Sequence, residues 1–222
     1  MDHNNEGINA IRNEDYEQAV KAFSEAIEAN PDDPIGYINF GNLLASIGRE
    51  EEALKAEKFF QKAITLDPDS MTAVYGLAGL YYNLERYDEA ARLYEKAIRG
   101  GIEGADAPYM LAKSLERTGK LKLSLPYMQR ARELAPEDLQ IRLSYGILLA
   151  SLEMFGEAME ELGHVVEKEP DNADAHYNLG VLYAVSTQQR EHALNHLKKA
   201  FTVSPDHIQA REVYNMISQS EE

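Results

Sequence analysis

Few side chains in this sequence combine the type and the spacing that chemistry needs. His192 and His196 stand four residues apart, which on a helix puts two imidazoles on one face where they could share a metal ion. Nothing nearby completes a ligand set, because the chain contains no cysteine and Glu191 would point elsewhere. His164 and His176 are single histidines on amphipathic segments, the pattern of packing or edge residues. Glu51-Glu52 and Glu160-Glu161 match a general acid–base pair only in type. On helices they fall where outward-facing residues belong, so solvated faces are expected. Gly100-Gly101 follows Arg99 and is read as a helix stop instead of a phosphate-cradling loop. No Ser/His/Asp signature stands out. The sequence therefore predicts no catalytic residue, no metal site and no cofactor.

Composition narrows the classes further. Thirty-eight acidic residues against 22 Lys and Arg give a net charge of −16 over 222 residues. That balance argues against nucleic-acid backbones and anionic membrane surfaces as partners. Without cysteine there is no disulfide framework, thiolate nucleophile or zinc–thiolate site. A hydrophobic share of 44% with 27% charged residues belongs to a globular chain. No run approaches the roughly 18 apolar residues that span a bilayer, and residues 1–17 lack a signal-peptide pattern. A cytoplasmic location is expected.

The elements that would position any site come from an internal repeat. Prolines recur after apolar–acidic runs at Pro31, Pro68, Pro136, Pro170 and Pro205, and the residues five before them are Ala26, Ala63, Ala131, Val165 and Ala200. With Ala97, before the proline-less Arg99-Gly-Gly-Ile102, this column has spacings of 37, 34, 34, 34 and 35. A second column runs Gly7, Gly41, Ala78, Ala112, Gly146 and Gly180. A third runs Phe23, Phe60, Tyr94, Met128, Leu162 and Leu197. Each unit splits into two amphipathic helices with apolar residues three and four apart. A short turn joins them, with glycine at Gly48 and Gly119, and the proline stops the second helix. The small columns predict close approach of paired helices, and the bulky column fills the space between them.

Tyr37-Ile-Asn-Phe-Gly41 with Glu51-Glu-Ala53, Tyr87-Asp-Glu-Ala90 with Tyr94-Glu-Lys-Ala97, and Tyr177-Asn-Leu-Gly180 with Leu197-Lys-Lys-Ala200 carry a resemblance to the tetratricopeptide repeat (TPR) family. It covers nearly the whole chain, which looks like the short repeat-only proteins of many bacteria. The resemblance implies an all-α fold: a right-handed superhelical solenoid of six helix–turn–helix repeats with a concave groove lined by the first helices. The repeats are placed at 1–33, 34–70, 71–104, 105–138, 139–172 and 173–207. A capping helix at 208–218 follows, then a frayed tail at 219–222. Together they are expected to form a single solenoid, residues 1–218.

Several departures from the pattern carry local expectations. Repeat 2 holds three extra residues near 55–58, predicting a continuous second helix nearly one turn longer that keeps Ala53, Ala56, Phe60, Ala63 and Ile64 on one face. Such an insertion reads either as a projecting interface corner or as simply tolerated. Pro126 should kink its helix or delay its start. Pro108 falls harmlessly in a first turn near Asp106. One extra residue in repeat 6 is expected in the turn at 187–190.

Groove positions implied by the resemblance fall on Asn4, Asn5 and Ile8, on Ile38, Asn39, Asn42 and Ser46, and on Tyr75, Gly79, Tyr82 and Asn83. They continue with Tyr109, Met110, Lys113, Glu116 and Arg117, then Leu143, Ser144 and Ile147, and finally Tyr177, Asn178 and Val181. Tyrosine supplies contact area at low entropic cost, and asparagine can bond a peptide backbone as donor and acceptor. Tyr75, Tyr109 and Tyr177 share a repeat position that also packs neighbouring repeats. The carboxylate clamp of chaperone-binding relatives is not matched, since the first three grooves offer only Arg12 as a basic residue. The asparagine ladder of glycan-transferase relatives is met by Asn5, Asn39 and Asn178 but broken by Gly76, Met110 and Ser144.

Net charges by repeat, the last including the tail, are −7, −2, −1, +1, −5 and −2. The fourth alone is positive. Its Lys113 and Arg117 are expected either to receive an acidic group of a partner or to pair internally, as with Glu116. The function expected is a non-catalytic scaffold or adaptor that holds partner proteins or peptide segments, with self-association available through the solenoid ends. The alternative is a dedicated structural subunit of one larger complex.

Overall fold

A computed structural model of the chain describes residues 2–187 and 189–219. Among them are thirteen α-helices and no strand. The chain divides into two compact units, one ending at Gly119 and the other starting at Lys120. The first unit contains α1 (His3–Arg12), α2 (Tyr16–Ala29), α3 (Pro34–Ile47), α4 (Glu50–Leu66), α5 (Met71–Asn83), α6 (Tyr87–Arg99) and α7 (Asp106–Arg117). The second contains α8 (Leu121–Leu134), α9 (Leu139–Ser151), α10 (Phe155–Lys168), α11 (Ala173–Leu182), α12 (Arg190–Val203) and α13 (Ile208–Gln219). Consecutive helices pack on one another within each unit, and their short connections make them antiparallel neighbours. Of the tail expected to fray at 219–222, Gln219 is instead the last residue of α13, and 220–222 lie outside the described part.

The three sequence columns explain this packing. Phe23, Phe60, Tyr94, Met128, Leu162 and Leu197 are all fully or almost fully buried. Within each unit such residues press on the small-residue column of the facing helix: a Cβ added to Gly146 would lie 2.8 Å from Leu162 Cγ, and one added to Gly180 would lie 2.7 Å from Leu197 Cγ. A side chain at Gly7 would run into the Phe23 ring. Burial of such residues, at ~25 cal/mol per Å² of apolar surface, holds the helix pairs within each unit together.

Helix ends follow from the loop sequences. The residue two after the repeat proline caps the next helix: Asp33 accepts from Ile35 N–H, Asp138 from Gln140 and Ile141, and Asn172 from Ala175. After Pro205 a histidine takes that role, with His207 Nδ1 accepting from Ala210 N–H at 3.2 Å. Carbonyls at the end of α6 are closed as the glycines predict: Ile102 N–H donates to Ala97 O at 3.1 Å, Gly101 N–H to Ile98 O at 3.0 Å, and Gly101 has φ of +90°. The turn between paired helices needs a left-handed residue. Gly48 and Gly119 supply it, but Glu14, Glu85 and Glu153 adopt it as well, with φ near +60°.

α4 is one uninterrupted helix of 17 residues, against 14 for α2 and 13 for α6. Ala53, Ala56, Phe60 and Ala63 are buried along it, as the insertion predicts, and Ile64 is half-buried. The added segment also makes a bridge. Glu57 accepts the Tyr81 hydroxyl at 2.7 Å and Arg86 Nη1 at 3.3 Å, tying α4 to α5 and to the start of α6. Pro126 lies inside α8, which nevertheless begins at Leu121, so its start is not delayed. In the sixth repeat, residues Tyr183–Thr187 continue α11 as a wider π-helical turn. Part of the expected loop is therefore helix, and residue 188 lies outside the described part.

Candidate functional site

In the first unit, the first helices of successive repeats meet through groove-type residues. Asn39 on α3 donates its amide to Asn4 Oδ1 on α1 at 3.0 Å. Asn42 is exposed, with its Oδ1 beside Gly76 of α5. Tyr75 packs edge-on against Tyr94, with centroids 5.4 Å apart. Burial, with the Asp106 charge adding, pushes its phenol up. Tyr82 packs edge-on against Tyr87 at 5.2 Å. Its phenol is likewise raised by burial, while Lys113 and Arg117 pull it down, so α5 and α7 bring these groups together. Tyr109 and Met110 are half-buried on α7. Ile38 is 7% exposed and belongs to the core more than to a displayed surface.

Lys113 donates to Glu116 Oε2 at 2.8 Å, which is the internal pairing weighed above. Arg117 is exposed and holds its guanidinium 4.8 Å over the Tyr87 ring. The basic pair is thus half satisfied, and Arg117 presents the more available charge.

In the second unit, Leu143 is 5% exposed and packs in the core with Leu149, Leu162 and Leu179, which removes it from any displayed surface. Ile147, Tyr177 and Asn178 line one open concavity of about 500 Å³, together with Asp174, Ser204, Asp206, His207 and Gln209. The Asn178 amide donates to Asp174 O at 2.8 Å, leaving its carbonyl oxygen for other donors. Tyr177 packs on the His207 ring at 4.8 Å. Because His207 Nδ1 accepts a backbone N–H, its proton is assigned to Nε2, 3.6 Å from Asp174 Oδ1. Ser204, Asp206, His207 and Gln209, from the loop and start of α13, were missed by taking the family's groove positions on first helices alone, and Asp174, on first helix α11 one turn before Asn178, was passed over. The Pro205-Asp206-His207 stop was the available signal.

Two sequence expectations are corrected. Glu161 does not lie on a solvated face: it is 7% exposed and ion-paired with Arg132 and Arg142. Its neighbour Glu160 is exposed, and Glu51 pairs with Lys55 at 2.7 Å on the surface. His176 is more than a lone edge residue, since its Nδ1 lies 2.9 Å from Nδ1 of His196. The rings of His192 and His196 both pack against Tyr183, at 5.3 and 5.4 Å. The i, i+4 histidine pair is engaged in these contacts.

Comparison with known proteins decides the family. Models of the tetratricopeptide repeat match residues 4–58 and 109–163, 54–101, and 173–207. The crystal structure of YrrB superposes with a TM-score of 0.80 at 43% identity, covering 89% of this chain and all of that one. The chain belongs to the tetratricopeptide repeat family. Its fold class is the all-α TPR solenoid, shared with a Pseudomonas aeruginosa PilF structure at a TM-score of 0.83 and 17% identity, over 96% of each chain. Alignment to YrrB of Bacillus subtilis (strain 168) gives 57% identity over 37 residues, 17% of this chain and 18% of that protein. Alignment to human tetratricopeptide repeat protein 7A gives 31% over 85 residues, 38% of this chain and 10% of that protein. The chain thus spans less than a fifth of these two relatives' sequences. The YrrB structure is described as that of a TPR protein with an unusual peptide-binding site. Among the described residues no helix is long and apolar enough to cross a membrane.

Proposed function

We propose that this TPR protein is a non-catalytic interaction module of the cytoplasm that holds partner proteins or peptide segments on the faces of its first helices. The observation that carries this reading is the concavity lined by Ile147, Tyr177, Asn178, Asp174 and Asp206. It offers an aliphatic and aromatic floor, an amide carbonyl and two carboxylates, which suits an extended segment carrying basic side chains. In the first unit, Tyr82, Tyr109, Met110 and Arg117 present a second face of aromatic and basic character. The peptide-binding site described for YrrB supports the same class of function. No nucleophile–base arrangement accompanies either face among the described residues.

The test is affinity capture from native extract with crosslinking, at low and high salt, for the wild type and for Asp174→Lys/Asp206→Lys. Crosslinks on α3, α5, α7, α9 and α11, with salt-sensitive partner loss in the variant, support the proposal. Crosslinks confined to α4, α6, α10 and α12 would overturn it. A single stoichiometric partner would refine the module into a dedicated subunit of one complex.

A further inference from the structure

We propose that His3, Glu6 and Glu25 form a binding site for a divalent transition metal of the zinc class, clamping α1 to α2. His3 and Glu6 lie one turn apart on α1, and Glu25 approaches from α2. His3 Nδ1 stands 3.5 Å from Glu6 Oε2 and 3.4 Å from Glu25 Oε2. These separations exceed the 2.7–3.2 Å of a good N–H···O bond. They match the ~3.3 Å between ligand atoms around a tetrahedral ion with bonds of ~2.0–2.1 Å. The Nδ1 atom is shielded from solvent and has no hydrogen-bond partner, an unusual state for a buried polar nitrogen.

The surrounding side chains orient the donor set. Glu6 Oε1 accepts from Gln18 Nε2 at 3.0 Å, and Glu25 Oε1 faces Lys21 Nζ at 3.9 Å. Glu6 thus has one oxygen held by a hydrogen bond and the other turned to the imidazole, the arrangement by which outer partners orient metal ligands, while Glu25 turns Oε2 to the imidazole with only a loose ion pair behind it. One imidazole and two carboxylates suit Zn²⁺, Co²⁺ or Ni²⁺ better than Ca²⁺ or Mg²⁺, which favour all-oxygen shells. A bound ion would cross-link the first hairpin and stabilise it by mass action.

The experiment titrates the untagged, chelator-treated full chain with ZnCl₂ alone by calorimetry, with MgCl₂ as a control, and records thermal unfolding with and without zinc. One equivalent of zinc should bind and raise the unfolding temperature, and magnesium should not. His3→Ala and Glu25→Gln should each weaken binding at least about tenfold while keeping the wild-type far-UV spectrum. His192→Gln/His196→Gln should leave binding unchanged. Three results overturn the site: no zinc binding up to 100-fold excess, binding indifferent to His3 and Glu25, or binding lost with His192 and His196. In the first case, the cluster is an internal contact between the imidazole and two carboxylates only.

Discussion

Arg142 donates from Nη1 to Glu161 Oε2 at 2.8 Å, and each side chain keeps only 10% of its surface exposed. The other Glu161 oxygen takes Arg132 at 3.0 Å, and Arg142 Nη2 donates to Pro136 O at 2.9 Å. The cluster links α8, α9, α10 and the loop before α9 in the second unit. Burying these charges is costly, and leaving one without its partner costs more. Glu161→Gln should destabilise the second unit by about 3–5 kcal/mol, measured by denaturant unfolding and by loss of amide protection in α9 and α10. Arg142→Met/Glu161→Leu should recover most of that loss, since half-exposed Arg132 can turn to water. A double variant as unstable as Glu161→Gln would show that uncompensated charge is not the cause.

The three-residue insertion in α4 yields a second prediction. Tyr81 is 8% exposed and spends its hydroxyl on Glu57, while Arg86 lies 3.8 Å over the Tyr81 ring. Glu57→Ala should cost about 1–2 kcal/mol, because it strands a buried hydroxyl. Tyr81→Phe should then be nearly neutral in the Glu57→Ala background, giving a coupling of about 1 kcal/mol in a double-mutant cycle. Independent effects would return the insertion to the status of a tolerated extra turn.

Glycines of the second unit should respond with opposite signs. A methyl at Gly180 would sit 2.7 Å from Leu197 Cγ and 3.1 Å from the backbone oxygen of Ala193, which cannot swing away. Gly180→Ala should therefore cost about 1–3 kcal/mol. Gly163 lies inside α10 with nothing within 4 Å of an added Cβ. Gly163→Ala should gain about 0.5–1 kcal/mol from helix propensity alone. Melting temperatures moving in the same direction would contradict the packing account.

The contrast between these glycines shows what the sequence could reveal. Gly180 stands in a periodic column facing Leu197, so spacing alone assigned it to a close helix pair. The same periodicity located Phe60 and kept Ala56 on the buried face of a lengthened α4. It could not show that Glu161 is buried, because its arginines come from two other helices and a carboxylate next to Glu160 looks solvated. It could not show that glutamates take the left-handed turn position held elsewhere by Gly48 and Gly119, since there the tertiary fold overrides local preference. For the candidate site, the family positions found Tyr177 and Asn178. They missed Asp206 and His207, which enter the concavity from a loop with no counterpart among first helices. The contact of His176 with His196 was invisible for the same reason, as it joins residues of α11 and α12.

That histidine contact sets the pH response of the second unit. His176 Nε2 lies 3.0 Å from Pro170 O and must carry a proton to bond it. Its Nδ1 is then the acceptor, and His196 Nδ1 donates across 2.9 Å. Protonating both rings would break this bond and set two cations side by side. Burial first, then His176 and His192, push His196 down to about 4. His176 is also lowered, mainly by burial, with Lys199 acting in the same sense and Pro170 O and Asp171 opposing. Tyr183 covers the face of His196. An unfolded histidine titrates near 6.5, so between that value and about 4 the unfolded chain binds more protons than the folded one. The stabilisation is therefore complete above pH ~6.5 and is lost as pH falls toward the folded value. Between pH 7 and 5, before most carboxylates titrate, the wild type should lose about 1 kcal/mol more than His196→Asn, allowing for the partial exposure of the ring. Denaturant unfolding at the two pH values measures this difference, and equal losses in both proteins would exclude the pair as its source.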